Sequence, residues 1–175
     1  MKLLNTKMEK KMIKLKSFQE TLHKGLCRPA CLKIVLEYYG IRKTEKELVK
    51  LTECKQDLGI DDKEIARVAK SFGFKAEIKN NCSFDDIEKF LDLNIPVIVD
   101  WFSRGRCDYI DSEVADGHYS VVSGLDDKFI FLQDPEIGKI RKLNRDDFMS
   151  VWFDFRGKYI KENELIIRQI IVIYK

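Results

Sequence analysis

The chain has 175 residues, 45% hydrophobic and 35% charged, with 32 basic against 29 acidic side chains for a net charge of +3. That is enough apolar material for one core, so a single domain over residues 1–175 is expected. A charge balance this even does not point to nucleic acid, and no apolar run approaches the ~20 residues of a membrane-spanning helix. The N-terminus lacks the unbroken apolar segment of a secretion signal, which makes a cytoplasmic location the default. Five cysteines (Cys27, Cys31, Cys54, Cys82, Cys107) form no Cys-x-x-Cys pair and are expected as free thiols.

In chain order, residues 1–11 are a Lys-rich lead-in, expected to be mobile. Residues 12–18 alternate weakly, as an edge strand does. A helical pattern follows from about Arg28 to Tyr39, with Pro29 in its first turn and Gly40 past its end. Thr44 followed by Glu47 is a capping box and opens a helix to about Thr52. Asp61 or Asp62 caps the next, in which Ile65, Val68, Ala69 and Phe72 recur at helical spacing before Gly73. Phe74 to Ile78 alternates as a short strand, and Ser83 caps a helix to about Leu93. The period then changes. Residues 95–101 read as a buried strand by length and β-branching, and residues 103–116 as a polar loop. His118 to Gly124, Phe129 to Gln133 and Lys139 to Lys142 read as strands, Asp146 to Phe153 as a helix, and Leu165 to Tyr174 as one long final strand. Helices first and a mainly antiparallel sheet afterwards make an α+β fold.

Two stretches carry chemistry. Cys27 stands where the first helical pattern begins, and there unpaired N–H groups and the helix dipole favour a thiolate. Arg28 adds a neighbouring positive charge. His23, Cys27 and Cys31 lie four apart and could hold a metal, but zinc sites use four ligands in tighter pairs, so no metal and no cofactor is expected. The second stretch is a hairpin. If Gly124 pairs with Lys128 across Leu125-Asp126-Asp127, His118 falls directly opposite Asp134 on one face. A carboxylate there fixes the imidazole tautomer and steadies its cation. Cys27, His118 and Asp134 are the set that thiol acyl transfer needs. Gln19, a few residues before the nucleophile, is a candidate donor to the oxyanion beside the Cys27 N–H. Trp101, Phe102 and Tyr109 line a groove or belong to the core.

Gln19, Cys27-x-Pro29-Ala30-Cys31-Leu32 with Tyr39-Gly40, Pro96-Val97-Ile98, His118-Tyr119-Ser120-Val121-Val122, Asp134-Pro135-Glu136-Ile137-Gly138, Phe148 and Trp152 together resemble the bacteriocin-processing cysteine peptidases that act on double-glycine leaders. The likeness runs from about residue 13 to 155. It implies a papain-like fold, with Cys27 as nucleophile, His118 as base, Asp134 as its orienting group and Gln19 in the oxyanion hole. It implies a peptide or protein substrate and an ABC exporter acting in trans as a partner, since no exporter segments follow and the chain reads as a free-standing member. The family has Gly after its nucleophile where this chain has Arg28, and the loop from Gln19 to Cys27 is longer than in the family. The same residues suit a deamidase or transpeptidase, or a papain-like module that binds leader peptides without cutting. A redox pair of Cys27 and Cys31 is disfavoured, because an i, i+4 helical pair is spaced more widely than a disulfide.

Overall fold

The computed structural model describes residues 11–22, 26–54, 62–102, 117–155 and 161–175. The lead-in up to residue 10, His23, Asp61, the expected loop 103–116, Cys107 and Tyr109 lie outside them.

The elements in order are β1 (Lys11–Met12), α1 (Cys27–Tyr38), α2 (Glu45–Leu51), α3 (Asp62–Ser71), β2 (Lys75–Lys79), α4 (Phe84–Asp92), β3 (Val97–Phe102), β4 (Gly117–Leu125), β5 (Phe129–Asp134), β6 (Lys139–Asn144), α5 (Arg145–Val151), β7 (Phe153–Phe155), β8 (Leu165–Ile167) and β9 (Ile170–Tyr174). The α+β arrangement expected from the sequence is therefore present. The main sheet runs β2-β9-β3-β4-β5-β6, with β1 added against β4, and β7 with β8 forms a separate two-stranded ribbon. Every pairing among the described residues is antiparallel.

Local chemistry sets most boundaries. The Thr44 hydroxyl accepts from the Glu47 N–H at 3.2 Å while the Glu47 carboxylate accepts from the Thr44 N–H at 2.8 Å. Ser83 and Asp86 make the same reciprocal pair at 3.3 and 2.9 Å at the start of α4. Each box satisfies orphan donors of a first turn. Gly40 and Gly73 end α1 and α3 with φ of +84° and +85°, a conformation that costs glycine little.

Two core clusters lie on opposite faces of the main sheet, and successive residues of β3 and β9 alternate between them. Val97, Val99, Trp101, Ile170 and Val172 pack with Ile87, Leu91, Phe148 and Trp152, which α4, α5 and the end of α5 supply. Ile98, Ile171 and Ile173 pack with Leu32, Val35, Leu48, Ile65 and Val68 from α1, α2 and α3. Helices thus cover both faces, so the strands buried between them read as continuous apolar runs rather than alternating ones.

Three expectations need correction. The edge strand over 12–18 is only Lys11–Met12, which pairs with Gly124 and Leu125. The helix expected over 146–153 runs from Arg145 to Val151, capped by Asn144 through its side chain to the Asp146 N–H at 2.9 Å. The long final strand is two strands. Arg168 takes φ of +47° between them, so that β8 leaves for β7 and β9 enters the main sheet between β2 and β3.

Candidate active site

Cys27 is the first residue of α1 and is buried, with 4% of its surface exposed. Leu26 at the cap position offers no side-chain hydrogen bond, and the first turn carries no acidic residue. The helix itself therefore supplies no carboxylate to its own positive end. Cys31, Leu32, Ile34 and Val35 of α1 are buried in one cluster with Tyr119 and Val121 of β4 and Ile171 and Ile173 of β9.

His118 is the second residue of β4. It lies opposite Trp101 in the β3–β4 ladder, with the two rings edge-to-face at 5.5 Å between centroids. Its Nε2 is 2.8 Å from Asp134 Oδ1. That leaves Nδ1 as the ring nitrogen not engaged by Asp134, and Cys27 lies close enough for its charge to act on this imidazole. The sulfur at the head of α1 and the imidazole of β4 are therefore electrostatically coupled.

The register assumed from the sequence differs from the one found. β4 and β5 pair Leu125 with Ile130 and Gly124 with Phe131, then shift at a bulge to pair Val122 with Leu132 and Val121 with Gln133. Continuing that last register sets Ser120, not His118, opposite Asp134. The displacement is two residues, and side chains two apart on a strand share a face. His118 and Asp134 still meet, as a diagonal pair.

Asp134 ends β5, is fully buried, and has its carboxylate filled from three sides. Oδ1 takes the His118 contact and the Glu136 N–H at 2.9 Å, and Oδ2 accepts from Arg141 Nε at 2.8 Å. Arg141 reaches it from β6, again diagonally, since the Cα partner of Asp134 there is Lys139. Burial works to raise the Asp134 carboxyl, but the imidazole and the guanidinium outweigh it and hold it below the usual carboxylate range. Burial likewise works to lower His118, and the charge and hydrogen bond of Asp134, with the contact to Cys27, outweigh it and push the imidazole well up. Both directions favour an imidazolium over neutral histidine. Cys31, one turn along α1, is pushed well up by burial and by Cys27, which keeps it a neutral thiol.

Gln19 is exposed and docks on the turn after Asp134. Its Nε2 donates to the Glu136 carbonyl at 3.0 Å, and the Glu20 N–H donates to the Pro135 carbonyl at 2.8 Å. Gly138, with φ of +64°, permits the approach, because a β-carbon there would lie 2.8 Å from the Gln19 Cβ. The next two residues are held by Glu45. Its buried carboxylate accepts from the Thr21 N–H at 3.1 Å, the Thr21 hydroxyl at 2.7 Å and the Leu22 N–H at 3.3 Å.

Arg28 is not the simple positive neighbour expected. Its guanidinium lies 4.1 Å over the Tyr119 ring and donates to the Tyr119 hydroxyl at 3.0 Å. Asp62 and Asp154 approach it at 3.5 and 3.7 Å. Tyr119 also lies 2.7 Å from Asp62 and 2.9 Å from Asp100. A phenol has one proton. With Arg28 donating to its oxygen, it can donate to one of these carboxyls only, so the other must carry a proton. Burial pushes Asp100 well up and makes it that one.

Arg141, Glu45 and this Arg28 cluster were missed from the sequence. Arg141 had a signal: the turn Pro135–Gly138 fixes the β5–β6 register and with it the diagonal to Asp134. The other two join segments far apart in the chain and had none. Trp101 is core, and Phe102 stacks on Phe153 at 5.3 Å. Among the described residues, His118, Asp134 and Glu136 offer ligand atoms within 4.8 Å of one another. The hydrogen bonds already filling Asp134 leave that group poorly suited to a metal. His23, the outlying member of the set with Cys27 and Cys31, lies outside the described residues.

Solved structures share this architecture. The peptidase domain of Streptococcus ComA, a bi-functional ABC transporter, is 20% identical with a TM-score of 0.65, over 91% of this chain and 98% of that one. A double glycine motif protease from an AMS/PCAT transporter, solved with the leader peptide, is 16% identical with a TM-score of 0.67, over 93% of each chain. A protein described as a C39-like peptidase from Bacillus anthracis is 17% identical with a TM-score of 0.70, over 96% of this chain and 98% of that one. At such identities the likeness establishes the fold, which is papain-like. No curated protein sequence matches the chain. The Peptidase C39 family model matches residues 19–155, most of the length, and the chain belongs to the Peptidase C39 family.

Proposed function

We propose that the protein is a cysteine peptidase that cleaves a peptide bond by acyl-enzyme chemistry, with a double-glycine leader peptide as its substrate class. The observation that carries this reading is the buried His118 ring, held by Asp134 at 2.8 Å and electrostatically coupled to Cys27 at the head of α1. The family and the peptidase folds among its structural neighbours support it.

In this mechanism the His118 imidazolium holds the proton taken from Cys27, and the sulfur attacks the scissile carbonyl carbon. Asp134 keeps the imidazole in the orientation that presents Nδ1 and stabilises its cation. The oxyanion receives the Cys27 backbone N–H and a Gln19 amide N–H. A primary amide has two donors, and the bond to Glu136 uses one. His118 returns the proton to the leaving amine, and water then hydrolyses the thioester with His118 again as base. We place this reaction in the cytoplasm, ahead of export by an ABC transporter acting in trans. No described helix is long and apolar enough to cross a membrane.

The test is cleavage of synthetic leader peptides ending in Gly-Gly, read by mass spectrometry. Turnover after the double glycine, abolished by Cys27→Ala in a folded protein, is expected. Binding of the peptides with no cleavage by the natural chain would replace the peptidase with a leader-binding module.

A further inference from the structure

One carboxylate touches the neighbours of both reacting residues. Asp154, in β7, is 5% exposed. Its Oδ1 accepts from the backbone N–H of Gly117 at 3.1 Å, and Gly117 directly precedes His118. Its Oδ2 lies 3.7 Å from Arg28 Nη2, and Arg28 directly follows Cys27. The Phe155 N–H holds the same Oδ1 at 2.7 Å, so its orientation is set from within its own ribbon. Gly117 is required for this contact: a β-carbon at that position would overlap the Asp154 carboxylate.

α1 and β4 meet here only through side chains, since α1 cannot join the hydrogen-bond ladder of the sheet. The distance between the Cys27 sulfur and the His118 ring depends on how the first turn of α1 is held against the first residues of β4. We propose that Asp154 is a positioning residue for the Cys27–His118 pair, tying Arg28 to Gly117 and so fixing the two backbone segments that carry the reacting groups. This rests on the proposed cysteine chemistry and adds a residue to it. It also gives Arg28 a purpose at a position where the sequence resemblance expects glycine: the guanidinium is the arm by which α1 reaches the carboxylate. A misplacement on the scale of 1 Å at such a pair costs on the order of a hundredfold in rate.

The experiment compares the natural chain, Asp154→Asn and Gly117→Ala. The rate of Cys27 alkylation by iodoacetamide is read by peptide mapping, alongside Cys31, Cys54 and Cys82 and with the His118 ring titrated by NMR. Asn keeps the volume and the oxygen facing Gly117 but loses the charge toward Arg28. The expected result is a folded Asp154→Asn protein in which Cys27 alone reacts about tenfold or more slowly and His118 titrates lower. Gly117→Ala, which pushes the carboxylate aside, should do the same. Natural rates and an unchanged His118 titration in both variants would overturn the role. So would loss of folding in Asp154→Asn, which would make the residue a determinant of folding instead. If Cys27 of the natural chain reacts no faster than the other thiols, the cysteine chemistry itself fails and this role falls with it. A fast Cys27 with indifferent variants removes only the role of Asp154.

Discussion

His118 and Asp134 are bonded at 2.8 Å although they are not partners in the β4–β5 ladder. Beyond the one-residue shift at the bulge between Val122 and Gly124 the ladder runs two residues away from a direct His118–Asp134 pairing, and the pair meets along the diagonal of one strand face. Diagonal Cβ atoms stand ~7–8 Å apart, within the combined reach of an imidazole and a carboxylate. Asp134→Asn should keep the fold, lower the His118 titration and reduce kcat by about a hundredfold, with KM little changed. Asp134→Ala, which removes the Nε2 partner altogether, should be slower still. Steady-state kinetics on a Gly-Gly leader peptide checks this.

Arg141 grips the other oxygen of the same carboxylate from β6, and both side chains are mostly buried. Arg141→Ala leaves that oxygen without its guanidinium and should cost about 2–3 kcal/mol at neutral pH. The pH dependence follows from the lowered Asp134. A depressed carboxyl contributes stability above its unfolded value of about 3.9 and loses it as pH falls through the folded value. The gap between the natural chain and Arg141→Ala should therefore be full near neutrality and narrow below about pH 4. Urea melts at both ends of that range would read it.

Gln19 is tethered to the Glu136 carbonyl, which sets it beside the turn that Asp134 opens. As an oxyanion donor its loss should appear in kcat and not in binding. Gln19→Ala is expected to lower kcat by about a hundredfold or more, with KM nearly constant and the thermal melt nearly unchanged. A variant that melts earlier but turns over normally would leave Gln19 only as a tether.

Local signals were legible where the chemistry is local. Thr44 with Glu47 and Ser83 with Asp86 close as capping boxes, and Gly40 and Gly73 stop their helices in the left-handed region. Cys27 at a helix start and the facing of His118 and Asp134 were legible too, the second through an incorrect register, because a shift of two preserves the face. The split of residues 165–174 was not legible. Leu165-Ile166-Ile167 and Ile170-Ile171-Val172 are both wholly apolar and mostly β-branched, and only the tertiary pairing of β8 with β7 and β9 with β3 separates them. The Arg28 cluster was invisible for a related reason. It joins α1, α3, β3, β4 and β7, and no spacing in the chain encodes that meeting.

The most direct test of the Cys27–His118 contact is the NMR titration of the His118 ring, favoured by a chain with only two histidines. In the natural protein the His118 signal should remain that of an imidazolium well above the ordinary histidine range, and Cys27→Ala should bring its titration down, since the sulfur is one of the groups that raises it. A His118 signal that titrates near pH 6.5 and is indifferent to Cys27→Ala would contradict the pairing on which the proposed chemistry stands.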